Sequence, residues 1–365
     1  MLKGLALLVM IEVHVFNLLL NSQIKTQGWF EILNFINGLV APAFTFTSGM
    51  VFVLSFQNGL DELRKFGVKF WKRLARLVLI FLAGYSLHTP AFTLSKISDP
   101  KYPYMMYEFL RVDILQCIAI GLIILLMLRI IIKSNKIFYT AIMLLNIFVL
   151  AYSPFAWNTD YSRNIPVALA NYFNRMHGSL FPLFPWIAFI FTGALVGKLY
   201  VDTKQKISEE KFAKYLTIIG IIFFLISVLF LNLLFPASWV NVKPNYFFFI
   251  ERLGVLLALL GIFWFYINKF ENYKSFILDV SRESLLVYWL HLLLLYKNVW
   301  NGKSMIDIFG NDLNILESSM LTVILAVLMI FAAKGWSYLK NKYTLICSRA
   351  VLAGVTIMVI YFFIG

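Results

Sequence analysis

Long apolar runs follow one another along this chain of 365 residues and limit what it can fold into. Hydrophobic residues make up 61% of the sequence and charged residues only 14%, a composition that excludes an ordinary soluble domain. Inside a bilayer every backbone polar group needs a partner within the protein, so a spanning segment is a helix or part of a closed barrel. The uninterrupted runs lack the alternation typical of barrel strands. We therefore predict an all-α, polytopic helical membrane protein that forms a single domain over residues 1–365.

About eleven runs reach the roughly 20 residues that a transmembrane helix needs. The predicted spans are 3–20, 31–56, 74–90, 113–133, 137–156, 182–200, 215–235, 251–268, 283–300, 315–333 and 349–364. With the N-terminus in the cytoplasm, 22 of the 32 Lys and Arg residues, Lys274 among them, fall beside or within the inner loops. This positive-inside pattern predicts an odd number of spans, a C-terminus outside and a location in the cytoplasmic membrane. It also explains most of the net charge of +14 without a nucleic-acid partner.

The first predicted span carries two ionisable residues, Glu12 and His14, near its middle. Such groups are costly at this depth, so they face other helices or water. Helical spacing puts Lys3, His14 and Asn17 on one face, whereas Glu12 lies about 200° away from His14. A single interhelical hydrogen bond is the plain interpretation of His14, and participation in chemistry is the alternative. Because the polar pair interrupts the apolar region and no small-residue cleavage site follows, we expect this span to be retained.

The second predicted span reads ILNFINGLVAPAFTFTSGM and carries small and polar residues at helical spacing. One face holds Asn34, Asn37, Ala41, Thr45 and Ser48. Close packing against another helix is the usual meaning of such a face, and the lining of a cavity is the alternative.

A basic segment, GLDELRKFGVKFWKRLARL, leads into the third predicted span from the inner side. Its cations fit both the topology signal and binding to anionic lipid head groups. Alternatively, Lys72, Arg73 and Arg76 bind the phosphates of a nucleotide-bearing donor, since such side chains pair well with phosphate oxygens.

The fourth predicted span opens at the outer surface with the sequence RVDILQCIAIGL. Asp113 and Gln116 lie three residues apart and therefore on one helix face. An ion pair between Arg111 and Asp113 at the membrane surface explains the same residues without a function.

The ninth predicted span, RESLLVYWLHLLLLY, places Ser284, Tyr288 and His291 on one face. Tyrosine and histidine along an interior face can form a hydrogen-bond relay, and a structural polar seam is the alternative.

All four histidines lie in predicted spans or on the outer side, none of them in a cytoplasmic loop. His88 ends the third span, and His177 lies in the long aromatic outer loop 157–186, a natural cover for a site. This distribution fits chemistry in the outer half of the membrane. Cys117 and Cys347 fall in or beside apolar runs and suggest neither disulfides nor zinc binding.

Six stretches, in order from residue 3 to about residue 296, together resemble motifs of transmembrane acyltransferases related to the heparan-alpha-glucosaminide N-acetyltransferase catalytic domain. KGLALLVMIEVHVFN is similar to the opening signature, FTFTSGM to the second helix, and RLARLVLIFLAGYSLH to the basic entry of the third. RVDILQCIAIGL resembles the D-L-Q stretch, FPLFPWIAFIFTGALVGKL the F-P-x-x-P-W motif, and SRESLLVYWLHLLLL a late helix with Tyr and His. Two features depart from the family. Lys3 stands where members usually have arginine, and the first outer loop, NSQIKTQGWFE, lacks the histidine of animal members.

The resemblance implies an enzyme that takes an acetyl or other acyl group from cytosolic acyl-CoA and delivers it to a sugar or glycan on the far face. It implies acetyl-CoA as co-substrate, no metal, and carbohydrate modification at the cell envelope. His14 falls where members place a mid-membrane histidine or amide, and His291 falls on the late-helix histidine. Besides the bilayer and the two substrates, a second copy of the chain is a partner that we consider.

We predict that the site is built from these positions. His14 and His291 would transfer protons, because an imidazole that titrates near neutrality suits this task, and Asp113 would orient a partner or bind acceptor hydroxyls. The predicted donor-phosphate residues are Lys3, Lys72, Arg73 and Arg76, and the predicted substrate contacts are Asn17, Gln116 and Tyr288.

Two other classes of function remain open. In a proton-coupled transporter, Glu12, His14 and His291 would form the relay, although the related halves common in transporters are not evident here. In a non-catalytic membrane scaffold, the polar residues of the spans would lie apart and be filled in by packing.

Overall fold

The computed structural model describes residues 1–56, 60–234, 244–270 and 275–364. Within these ranges the chain is helical, and the only strand-like pairs are isolated bridges, which confirms the all-α prediction. The helices are α1 (Leu2–Leu19), α2 (Gly28–Asn37), α3 (Val40–Ser55), α4 (Leu60–Arg64), α5 (Val68–His88), α6 (Leu94–Ile97), α7 (Pro103–Phe109), α8 (Ile114–Ile131), α9 (Asn135–Asn158), α10 (Val167–Ala170), α11 (Leu183–Thr203), α12 (Glu209–Leu229), α13 (Tyr246–Lys269), α14 (Phe276–Arg282), α15 (Ser284–Tyr296), α16 (Met305–Phe309), α17 (Ile315–Lys342) and α18 (Thr344–Ile364). Gly59 of the basic segment, Phe235 of the seventh predicted span and Lys274 of the predicted inner loops lie outside the described residues.

Nine segments of the described ranges are long and apolar enough to cross a membrane, which confirms a multi-pass membrane protein. They are α1, α2 together with α3, α8, α9, α11, α12, α13, α17 and α18. The other two predicted spans correspond to α5, whose first half is basic, and to α15, which has 13 residues. A helix of that length is shorter than the roughly 20 residues that a bilayer requires. The total of eleven spans and the orientation of the chain remain predictions.

The chain divides into two compact units. The first unit comprises Met1–Val40, Ala91–Lys101 and Asn272–Gly365, and the second comprises Ala41–Pro90 and Tyr102–Glu271.

In the first unit, α1 is the central helix and packs against α14, α15, α16 and α17. At its start Gly4 allows a close approach to α14, because a Cβ atom there would lie 2.2 Å from the Ile277 carbonyl oxygen. At its end the Asn21 N–H donates to the Leu313 carbonyl at 2.9 Å, and the Leu313 N–H donates to the Leu19 carbonyl at 3.0 Å. Both ends of α1 are therefore fixed against the rest of its unit.

The second unit is built from antiparallel helix pairs: α5 with α8, α9 with α11, and α12 with α13. Glycine makes the last of these contacts close, because a Cβ atom at Gly220 would lie 2.4 Å from the Ala258 nitrogen. In the α9–α11 pair the Asn146 side chain donates to Thr192 at 3.0 Å. Small residues and interhelical hydrogen bonds of this kind hold helices together where water is absent.

Glycines also bring α3 and α11 together at backbone distance. A Cβ atom at Gly49 would lie 1.9 Å from the Ile190 carbonyl oxygen, and one at Gly193 would lie 1.9 Å from the Phe46 carbonyl oxygen. The second span therefore does pack closely, but through a glycine rather than through the small polar residues of its sequence. Thr45 and Ser48 instead donate to carbonyls one turn earlier in their own helix.

The close crossing of α3 and α11 predicts that alanine substitutions at two glycines will have different effects on thermal stability. Gly193→Ala places a methyl group against backbone that cannot move aside, and overpacking of this kind costs about 1–3 kcal/mol or more. Gly354→Ala, in α18, meets no atom within 4 Å and serves as the control. We expect the melting temperature in detergent to fall by several degrees for the first variant and to stay unchanged or rise slightly for the second. Equal melting temperatures would contradict the close crossing of α3 and α11.

Candidate functional site

Two histidines of predicted spans, His14 and His291, have their imidazole rings close together in the first unit. The ring centroids of His14 on α1 and His291 on α15 are 5.4 Å apart, with the ring planes tilted by 50°. His14 Nδ1 lies 3.1 Å from the hydroxyl of Tyr296, which ends α15. Helix α15 packs against α1, so residues that are 277 positions apart in sequence become neighbours.

The two rings occupy different surroundings. His291 is fully buried, and its Nδ1–H donates to the Val287 carbonyl at 2.7 Å. Because a carbonyl can only accept, this bond fixes the tautomer and makes Nε2 the basic nitrogen of the neutral ring. His14 is half-buried and bonds to a hydroxyl, which can donate or accept. One ring is therefore held rigidly, while the other can change its protonation with its partner still in place.

The remaining predicted residues of the first unit lie around this pair. Tyr288 is buried with its ring centroid 5.8 Å from that of His291, as expected from their shared helix face. Asn17 is exposed, and its backbone carbonyl accepts a hydrogen bond from Lys25 at 2.8 Å. Lys3 is half-buried near the start of α1, about 16 Å from His14 at 1.5 Å per residue.

The predicted acidic residue, Asp113, belongs to the second unit, where it caps α8. Its Oδ1 accepts the Ile114 N–H at 2.7 Å, and its own N–H donates to Gln116 Oε1 at 3.1 Å, so both residues form a capping box. Its other oxygen, Oδ2, lies 3.5 Å from Nε2 of His88 at the end of α5. The structure thus pairs Asp113 with a histidine that the sequence did not assign to the site.

The basic segment contains cations in two kinds of environment. Arg73 donates to the Ser55 carbonyl at 2.9 Å and to its hydroxyl at 3.1 Å, and its guanidinium lies over the Phe56 ring. This residue therefore caps the end of α3. Lys72 and Arg76 are exposed, as a residue that binds phosphates or lipid head groups must be.

An ion pair inside a predicted span was missed by sequence reasoning. Arg252 on α13 donates to Glu251 at 2.8 Å, both side chains are largely buried, and the guanidinium lies 3.5 Å from the centroid of Phe248. Two adjacent residues of opposite charge inside an apolar run are the signal that could have found it. No comparable signal exists for Tyr296, which is five residues from His291 and so about 140° away on the helix.

The predicted outer loop between α9 and α11 is tied down by polar contacts. Asp160 Oδ1 accepts from the Ser162 hydroxyl at 2.7 Å and lies 3.2 Å from His177 Nε2. The Ser162 hydroxyl first, and then His177, lower the pKa of Asp160 to about 2. Asn174 ties the same loop to the end of α9, with its side chain donating to the Ala156 carbonyl at 3.1 Å.

Comparison with known protein families gives one match. The family model described as heparan-alpha-glucosaminide N-acetyltransferase, catalytic, matches residues 1–240, and the resemblance seen in the motifs is thereby confirmed. The matched range includes His14 and Asp113, whereas His291 follows it. No curated protein and no solved structure matches the chain.

The Asp160 contacts predict a pH-dependent order of the outer loop. A carboxylate whose folded pKa is depressed stabilises the fold above its unfolded value, near 4, and this contribution disappears as the pH falls towards about 2. We expect Asp160→Ala to speed amide hydrogen exchange of residues 158–178 at pH 7. Asp99→Asn, in another turn, should leave these residues unaffected. Corrected for intrinsic rates, wild-type exchange should approach that of Asp160→Ala between pH 4 and 2, and a constant difference would refute the assignment.

Proposed function

This chain belongs to the heparan-alpha-glucosaminide N-acetyltransferase catalytic family, a family of membrane acetyltransferases, and from this premise we propose a specific activity. We propose that the protein takes an acetyl group from acetyl-CoA in the cytoplasm and transfers it to a sugar or glycan on the outer face of the cytoplasmic membrane. Family membership supports the reaction type. The contact between His14 and His291 is the observation that supports the place of the chemistry.

Acetyl transfer requires the movement of a proton at each end of the reaction. The acceptor hydroxyl or amine loses a proton as its oxygen or nitrogen bonds to the thioester carbonyl carbon. The carbon–sulfur bond then breaks, and CoA leaves as a thiolate that takes up a proton. An imidazole suits proton transfers of this kind, and each such group contributes about 10²–10⁴-fold to a rate. His14, half-buried and bonded to Tyr296, is the ring with access, and His291 is its buried neighbour.

The donor needs cations for its phosphates at the cytoplasmic side. We assign this role to Lys72 and Arg76, which are exposed. Lys3, at the start of the helix that carries His14, stays a prediction from the sequence. Arg73 is the least suited of the residues predicted from sequence, because its guanidinium already caps α3 and covers Phe56. The predicted substrate contacts, Asn17, Gln116 and Tyr288, remain part of the proposal; Gln116 has a structural role in the α8 capping box.

Proton-coupled transport is the competing function for the same residues. A relay through Glu12, His14 and His291 requires the carboxyl to communicate with the imidazoles. Glu12 lies on the opposite side of α1 from His14, about 200° around the helix, and has Asn37 as its polar neighbour. This placement favours a histidine pair that works without the carboxyl.

The proposed centre, formed by His14 and His291, predicts how much activity each substitution in the pair will remove. His14→Ala and His291→Ala should each lower acetyl transfer from acetyl-CoA to glucosamine by about 10²–10⁴-fold in proteoliposomes. The double variant should be little worse than either single variant, because residues that act as a unit are not additive. His177→Gln, a histidine of the outer loop, is the control. Full activity of His14→Ala would refute the centre, and solute flux without acetyl-CoA consumption would favour the transporter.

The donor assignment predicts a change in affinity without a change in chemistry. Lys72→Ala combined with Arg76→Ala removes two charge-assisted contacts to phosphate, so the KM for acetyl-CoA should rise at least roughly tenfold with kcat retained. Lys133→Ala combined with Lys136→Ala removes two exposed cations elsewhere and should leave KM unchanged. If both double variants show the same KM as the wild type, the phosphates are bound by other residues.

A further inference from the structure

A histidine and a carboxylate face each other at one end of the second unit. His88 Nε2 on α5 lies 3.5 Å from Oδ2 of Asp113 at the start of α8. The side chains are only 18% and 6% exposed, respectively, so their interaction is poorly screened by water. The distance is longer than a formed hydrogen bond, but catalytic contacts are often long until the substrate is bound.

The carboxylate of this pair is held in one orientation. Asp113 Oδ1 accepts the Ile114 N–H, while Gln116 Oε1 accepts the Asp113 N–H. The Gln116 side chain fits against α5 only because position 84 is glycine: a Cβ atom there would lie 2.4 Å from Gln116 Oε1. These bonds hold the Asp113 carboxylate at the start of α8, with Oδ2 as the oxygen nearest to His88 Nε2.

The backbone just before Asp113 is fixed as well. The Val112 N–H donates to the Ser179 hydroxyl at 3.2 Å, and the Val112 carbonyl accepts the N–H groups of Leu180 and Phe181, each at 3.0 Å. Preorganisation of this kind is what a residue that positions a catalytic base requires. An asparagine would cap α8 equally well, so the cap alone does not explain a negative charge at this position.

Other polar groups surround the pair. Tyr85, one turn before His88 on α5, shares a hydrogen bond of 2.8 Å with the hydroxyl of Tyr172, which follows α10. Arg111 lies just before α8, Cys117 lies in its first turn, and the ionisable side chains of the packed helix α7 are Tyr104, Tyr107 and Glu108. Burial is the main reason that the pKa of Tyr172 is raised, so this tyrosine stays a neutral donor.

The position of His88 along α5 is informative. Lys72 and Arg76, the proposed phosphate-binding residues, lie near the start of this helix, and His88 is its last residue. The distance from Arg76 to His88 is about 18 Å at 1.5 Å per residue, more than half of a bilayer core. With the cations at the cytoplasmic side, His88 is at the side from which an outer acceptor arrives.

We propose that His88 is the base that deprotonates the acceptor and that Asp113 is the residue that positions it. The assignment rests on the proposed acetyltransferase function and adds to it a base that lies outside the histidine pair. His88 takes the proton of the attacking hydroxyl or amine as the new bond to the acetyl carbon forms. The carbon–sulfur bond of the thioester breaks, CoA leaves as the thiolate, and the proton on His88 passes to solvent. The thiolate takes up a proton from solvent.

The test uses the full-length protein in proteoliposomes, with acetyl-CoA as donor and glucosamine as acceptor. His88→Ala should lower kcat at least roughly 100-fold, with recovery when imidazole is added to the buffer. Asp113→Asn keeps the cap but removes the charge, so kcat should fall about tenfold. The KM for acetyl-CoA should stay unchanged, because the cap that holds the start of α8 is retained. Ser86→Ala, also in the last turn of α5, is the control.

The outcomes separate this inference from the proposed function. Wild-type protein that leaves glucosamine unacetylated overturns the proposed function, and the inference falls with it. If the wild type is active but Asp113→Asn keeps its kcat, or imidazole fails to rescue His88→Ala, then the inference is overturned and the acetyltransferase function stands. A lower kcat at unchanged KM together with rescue supports both, because a merely structural role would give neither result.

Discussion

An imidazole at membrane depth faces other helices or water, and in this chain His14 faces the buried ring of His291. The contact depends on α1 being fixed at both ends, by the close approach of Gly4 to α14 and by the hydrogen bonds with Leu313. With α1 fixed, His14 faces a second ring whose tautomer is set by the Val287 carbonyl. The first unit is thus a frame that keeps the two imidazole rings close to each other.

In the second unit, helix α5 carries the cations that we propose for the donor at its start and the histidine that we propose for the acceptor at its end. Its first turns are basic and exposed, whereas its last residue is a histidine beside a buried carboxylate. The glycine contacts between helices, including that of Gly84 with Gln116, set the register that brings these groups together. Helix packing in a membrane relies on such small residues because apolar side chains gain little from leaving lipid.

Much of the architecture could be predicted because it follows from local sequence. Apolar runs of membrane length gave the class of fold, and the motifs gave the family. His14 and His291 were found because a polar residue inside a span is conspicuous. The sequence predicted that they belong to one site, but spacing along one helix does not say which helix lies opposite, so the direct contact of the two rings comes from the structure. The same limit applies to the pair of Asp113 with His88.

Arg73 shows the opposite case, in which the local sequence predicted phosphate binding but the contacts of the side chain make it less suited to that role. A cluster of cations before a span fits phosphate binding, but only the structure shows that this guanidinium caps α3 over Phe56. Close packing of the second span was expected at its small polar residues and occurs at Gly49, because their hydroxyls bond within their own helix. Spacing along a helix shows which residues share a face, but it does not show which side chains hydrogen-bond to carbonyls of their own helix.

The most direct measurement of the central claim is an experimental structure of the protein with an acetyl-CoA analogue whose sulfur is replaced by a methylene group. If the imidazole pair handles the acyl group, the carbonyl of the analogue should lie within about 3.5 Å of a ring nitrogen of His14 or His291. A carbonyl bound elsewhere, with both rings still enclosed by protein side chains, would contradict the account.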